Sequence, residues 1–96
     1  MNLINMHINK FWTLYQNKKY EEAQNLCFYI IRKFPRDTFG WIALANVFKE
    51  KGMLSEALSS IKKSLSLDPL NYQIHYNLGL ILQKFRKLKD AEISYR

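Results

Sequence analysis

One cysteine, three glycines and two prolines are all that the 96 residues contain of the types that most often bridge, bend or break a chain. With Cys27 alone, no disulfide can close within the chain and no thiolate cluster can hold zinc. So few glycines leave no phosphate-cradling loop. No apolar run reaches the roughly 18–20 residues that a membrane span needs. Asn2, Asn5, His7, Asn9 and Lys10 interrupt the N-terminal stretch, which therefore lacks the apolar block of a secretory signal. The expectation is a cytoplasmic chain with no membrane partner. Acids are also scarce: eight Asp and Glu stand against fifteen Lys and Arg, a formal charge of +7. Such a surface attracts polyanions.

Convergent catalytic groups are missing as well. Glu21, Glu22, Asp37 and Glu56 fall at expected helix starts or caps, and no spaced carboxylate pair suggests acid–base work. His7 and His75 have no ligand or base partner at a telling spacing, so they read as packed or half-buried rings. The serines from Ser55 to Ser66 lack a matching His or Asp. The reading is a non-enzyme with no cofactor and no metal. Cys27 falls in an apolar slot and reads as an inert buried thiol.

What the chain does have is a repeat. From Thr38 to Asn71 the sequence carries Trp41, Leu44, Ala45 and Phe48, then Ala57, Ile61 and Pro69. Shifting by 34 residues sets Pro35 on Pro69 and brings Ala23, Ala57 and Ala91 together. Leu44 falls on Leu78, Ala45 on Gly79, and Tyr20, Leu54 and Leu88 share a slot. The spacing W-x2-L-G-x2-Y, A-x3-F, P is that of the tetratricopeptide repeat, which the chain resembles over nearly its whole length. The resemblance implies an all-α fold of antiparallel helix pairs stacked into a right-handed superhelix, an α-solenoid. Its units are residues 4–37, degenerate; 38–71, complete; and 72–96, truncated, together one domain over 1–96.

Within each unit the residue types place the helices. Tyr20 to Lys33 opens with Glu21 and Glu22 and closes with Arg32 and Lys33, which suits the helix dipole. Asp37 and Asn71, one period apart, are expected to cap the helices that follow them. Gly52 supplies a left-handed residue between helices Thr38–Lys51 and Ser55–Leu67. A fifth helix is expected from Tyr72 to about Phe85, and a sixth, cut short, from Leu88. Phe11 stands where the other units have Ala45 and Gly79. A ring there should push the first two helices apart or turn the first about its axis.

In the family, the first helix of each unit lines a concave groove. The resemblance therefore implies a binding surface with Asn9 and Trp12 on the first helix, Phe39, Ile42 and Asn46 on the third, and Tyr76, Asn77 and Leu80 on the fifth. Ala43, Lys49 and Lys84 are further candidates. Rings and aliphatic groups can bury a peptide's side chains, while carboxamides donate and accept to its backbone. Ile8, Trp12 and Ile42 are read either as groove residues or as wedges between helices. The slots that would hold a carboxylate clamp carry Ile8, Gln73 and Asn77, which argues against that branch. A protein or peptide ligand is thus the expected partner, in a scaffold or adaptor role.

Two other readings stand beside it. Lys18, Lys19, Lys49, Lys51, Lys84, Arg86, Lys87 and Lys89 are all expected at turns within units, where stacking would align them along one edge. That edge, Lys84, Arg86 and Lys87 above all, is either a set of cations favoured at helix C-termini or a surface for RNA or an acidic protein. Nucleic acid is the weaker expectation. The run from His75 to Gly79, with Ala91-Glu92 and Ser94-Tyr95-Arg96, is similar to arrays preceding bacterial glycosyltransferases and to the superhelix of O-GlcNAc transferase, so the segment could also front a larger enzyme. Arrays normally end on a helix with a polar outer face. None is found after Leu88, which leaves two expectations: that these residues are the front of a longer array or a natural truncation, or that the chain self-associates through an open end.

Overall fold

The computed structural model describes residues 4–94, which form five α-helices. They are α1 (Ile4–Gln16), α2 (Tyr20–Lys33), α3 (Phe39–Glu50), α4 (Leu54–Leu67) and α5 (Tyr72–Ser94). Each packs on the next, and α3 also touches α5, giving an elongated body of 55 × 31 × 18 Å. Among the described residues there is no strand, and no helix is long and apolar enough to cross a membrane. Tyr95 and Arg96, which the resemblance uses, lie outside the described residues.

The period of the sequence is repeated by the backbone, bond for bond. At the end of α1 the Lys19 N–H donates to Leu14 O at 2.9 Å and Lys18 N–H to Tyr15 O at 3.0 Å. One period later the Met53 N–H donates to Phe48 O at 2.8 Å and Gly52 N–H to Lys49 O at 3.1 Å. This closure needs a left-handed residue at its centre. Gly52 provides one at φ 77°, and Lys18, in the same slot, adopts φ 59° despite its side chain. The next connections also match. Phe34 N–H bonds Ile30 O as Asp68 N–H bonds Ser64 O. Asp37 Oδ1 accepts from Phe39 N–H at 2.8 Å and Asn71 Oδ1 from Gln73 N–H at 2.9 Å, the expected capping by a side-chain oxygen.

Small and aliphatic side chains at matched slots make the core. Ala23 and Ala57, Cys27 and Ile61, and Ala45 are all sealed from solvent. The most extensive contact is that of α3 with α4, where Ala45 and Ala57 allow close approach. Phe11 occupies the Ala45 slot of α1 and is also fully buried, so the ring has not turned α1 outward. It is accommodated by a less extensive contact of α1 with α2 and by a shell of rings. Trp12, Tyr15 and Phe39 lie 5.1, 5.6 and 5.7 Å from it, centroid to centroid. The Tyr15 phenol lies close to the Glu50 carboxylate at the end of α3. Burial, with the adjacent Glu50 charge, pushes that phenol from 10.0 up to about 12.

The third unit departs from expectation. No turn follows Phe85; α5 runs unbroken to Ser94, so the expected fifth and sixth helices are one. Arg86 occupies the slot of Lys18 and Gly52. A side chain there in the left-handed region costs roughly 1–2 kcal/mol. Lys18 meets that cost because α2, which follows it, packs on both α1 and α3. At Arg86 the chain stays helical, and the continuous helix satisfies the backbone groups there without a turn. Lys84, Arg86 and Lys87 therefore lie along a helix rather than at a turn.

The glycines of α3 and α5 respond oppositely to substitution. A Cβ on Gly40 would come within 2.7 Å of Ile31 Cγ1 and 3.2 Å of both Ile30 Cγ2 and the Ile31 backbone nitrogen, where α3 meets α2. A Cβ on Gly79 would meet nothing within 4 Å. Gly40→Val is expected to lower stability by about 1–3 kcal/mol, and Gly79→Ala to raise it by about 0.5–1 kcal/mol; urea titration of both variants reads the contrast. Because the Tyr15 phenol is raised, its contribution is fully present below pH 10 and is lost as the pH climbs from 10 through about 12. Tyr15→Phe should remove that part of the alkaline loss, so its melting temperature falls less than the parent's over this window.

Candidate functional site

Helices α1, α3 and α5 are the first members of their units, and the 34-residue period arranges their side chains in rows. Ile8, Ile42 and Tyr76 make one row; Trp12, Asn46 and Leu80 make the next. Tyr76 is exposed and Trp12 largely so, while Ile8, Ile42, Asn46 and Leu80 are half-buried. Phe39 is half-buried and lies 6.4 Å from Trp12, which places those two candidates side by side across the α1–α3 boundary. The rows combine an aromatic end at Trp12 and Phe39, an amide at Asn46 and an aliphatic and phenolic end at Leu80 and Tyr76.

The remaining candidates distribute unevenly. Asn9, Ala43 and Asn77 share a slot, yet their surroundings differ: Asn9 is exposed, Asn77 half-buried and Ala43 sealed. Ala43 is therefore a core residue and not a groove residue, because α3 has helices on both sides. His7 is half-buried and packs its ring 5.1 Å from Tyr29 and 6.2 Å from Phe34. His75, expected to be packed like its counterpart, is exposed, and its Nε2 lies 2.7 Å from Pro69 O. It caps a loop rather than filling a core. Among the described residues no group of His, Cys, Asp and Glu could hold a metal ion. Cys27 is sealed, and burial alone pushes its thiol up to about 12.

The basic residues separate into two sets. Lys51 is held by Glu21 Oε1 at 2.5 Å and by Gln24 Oε1 at 2.7 Å, so it ties α2 to the α3–α4 turn. Lys49, Lys84 and Lys87 instead surround a shallow cavity of about 350 Å³, floored by Leu54 and Leu88. Burial, and the proximity of Lys84, lower the Lys49 ammonium against the pull of Glu50. This cavity is a feature that periodicity alone does not disclose. Its walls come from a row of lysines and from the Leu54–Leu88 slot, and it exists because α5 continues past Phe85. Arg86 is exposed but does not line it.

Two tetratricopeptide repeat models match the sequence, one over residues 40–69 and the other over residues 61–93. A search of curated proteins gave no match. Among solved structures the fold is similar to that of MamA, residues 41 to the end, from Desulfovibrio magneticus RS-1. The TM-score is 0.78 at 20% identity, covering 98% of this chain and 53% of that one. A MamA RS-1 ArsTM double mutant gives a TM-score of 0.77 at the same identity and coverage. The chain thus spans about half the length of these proteins, and at that identity the likeness is one of fold. Repeats of this kind are typically non-catalytic interaction modules. With the two matches together spanning residues 40–93, more than half of its length, the chain belongs to the tetratricopeptide repeat family.

Proposed function

We propose that the face formed by α1, α3 and α5 binds an extended or helical segment of a protein partner, and that the chain acts as a scaffold or adaptor. The observation that carries this reading is the pair of half-buried carboxamides, Asn46 and Asn77. Among the described residues neither amide is used in a side-chain hydrogen bond within the chain. A carboxamide inside a helix contributes little to helix stability. It can, however, donate to and accept from a peptide backbone at once. Trp12, Phe39 and Ile42 on one side and Tyr76 and Leu80 on the other supply the apolar contact on which such a segment would rest, and apolar pockets beside backbone-reading amides are how grooves select side chains. Asn9 extends the same face at the α1 end.

A second reading rests on the cavity between Lys49, Lys84 and Lys87. Three ammonium groups around an apolar floor suit an acidic partner, and Arg86 extends the positive surface along α5. The chain's excess of cations supports this reading, which predicts a steep salt dependence.

Selection of peptides from a displayed library against the immobilised chain, followed by titration calorimetry, tests the two. For the groove, Asn46→Ala with Asn77→Ala is expected to weaken binding at least tenfold while shifting the melting temperature by no more than a few degrees; equal affinity in the double variant removes both residues from the site. For the basic surface, Lys84→Glu with Arg86→Glu and Lys87→Glu should abolish binding, and affinity retained by that variant at moderate salt would reject it.

A further inference from the structure

Ile74, Leu78, Ile81, Phe85 and Leu88 recur at intervals of three or four, so they make one stripe along α5. Ile74 and Ile81 are sealed, Leu78 and Phe85 are half-buried, and Leu88 is 60% exposed. Burial is lost at the end of the stripe that passes beside the α3–α4 turn. There the stripe meets the cavity of about 350 Å³, walled by Lys49, Gly52 and Leu54 on one side and by Lys84, Lys87 and Leu88 of α5 on the other. Leu54 belongs to the core at 7% exposed, so the cavity floor is continuous with the packed interior.

The rim of this cavity is as uniform in charge as its floor is apolar. Lys84 and Lys87 lie one turn apart on α5, and Lys49 lines the cavity from the end of α3. The salt bridge among the described residues engages Lys51 and none of these three. Burial lowers the Lys49 ammonium, Glu50 pulls it up and Lys84 pushes it down again, so Lys49 and Lys84 repel each other. An anion placed between them relieves that repulsion. A nucleic-acid backbone would satisfy the rim alone and leave the leucines in water. A lipid surface is flat and would not reach a floor set between two elements. A volume near the lower bound of ligand pockets, roughly 300 Å³, suits an amino-acid side chain better than a large cofactor.

We propose that the cavity docks an acidic peptide segment carrying one large apolar side chain between its acids. The apolar group lies on Leu54 and Leu88, and the flanking carboxylates pair with Lys49, Lys84 and Lys87. This rests on the second reading above and gives it an anchor: charge brings the segment to the surface, and the leucines select what stays. Neither Asn46 nor Asn77 lines the cavity, so the site is distinct from the carboxamide pair. The two contributions separate by their response to salt, which screens exposed charge contacts and leaves apolar burial in place. Selectivity for an apolar centre therefore persists while overall affinity falls.

Fluorescence anisotropy on the 96-residue chain tests this with two labelled peptides, glutamates around a central leucine and the same glutamates around a serine, and with an oligothymidylate of equal charge. The leucine peptide is expected to bind about tenfold tighter than the serine peptide. That ratio should hold while both weaken between about 0.05 M and about 0.3 M salt. Leu88→Ser, at an exposed position, should bring the ratio to about one and leave the circular dichroism and the serine peptide's affinity unchanged. Lys87→Gln should weaken both peptides several-fold and keep the ratio. Equal affinity for the two peptides overturns the inference and leaves the basic surface a site for charge alone, whereas failure of both to bind overturns the basic-surface reading with it. Tighter binding of the oligothymidylate than of the leucine peptide, or a ratio that Leu88→Ser leaves intact, also overturns the inference.

Discussion

Close approach of α3 and α4 through Ala45 and Ala57 is the contact on which the rest of the structure depends. Two residues without bulk let the helices near each other, and Phe48, Leu44 and Ile61 then close the space around them. The α2 and α5 helices are laid against this pair from either side. The left-handed residue at Gly52 matters because it brings the pair together within a few residues. At Arg86 no residue takes that conformation, and the helix continues.

The sequence discloses what the period controls. Pro35 and Pro69, the three alanines and the capping pair Asp37 and Asn71 fix where α2, α3 and α4 run, because turns, caps and close contacts each demand a particular residue type. Phe11 is instructive in another way. Its size was legible, but its outcome depended on Trp12, Tyr15 and Phe39 forming a ring cluster around it, which is a relation among side chains on two helices. The α5 helix was misread because period alone predicts a turn wherever a unit should have one.

The candidate groove was legible to the same degree as the helices that form it. Trp12, Phe39, Ile42, Asn46, Tyr76 and Leu80 share one face because they sit on the first helices of their units. Burial within that face was less readable: Ala43 is sealed while Asn9, in the same slot, is open. A slot number says which way a residue points, and the neighbours on each side decide whether solvent reaches it. The cavity between Lys49 and Lys84 escaped sequence reading for a related reason, since one wall belongs to a helix whose length was not anticipated.

The burial of Cys27 has a consequence for the chain as a chemical object. Its thiol is the one sulfhydryl in the sequence, it is sealed beneath α2, and burial keeps it protonated far above neutral pH. Electrophiles and oxidants need the thiolate and need access, so they reach this sulfur only when α2 lifts from its neighbours. The rate at which a thiol reagent consumes Cys27 is thus a clock for opening of the first repeat, built into the chain and silent while the array is closed.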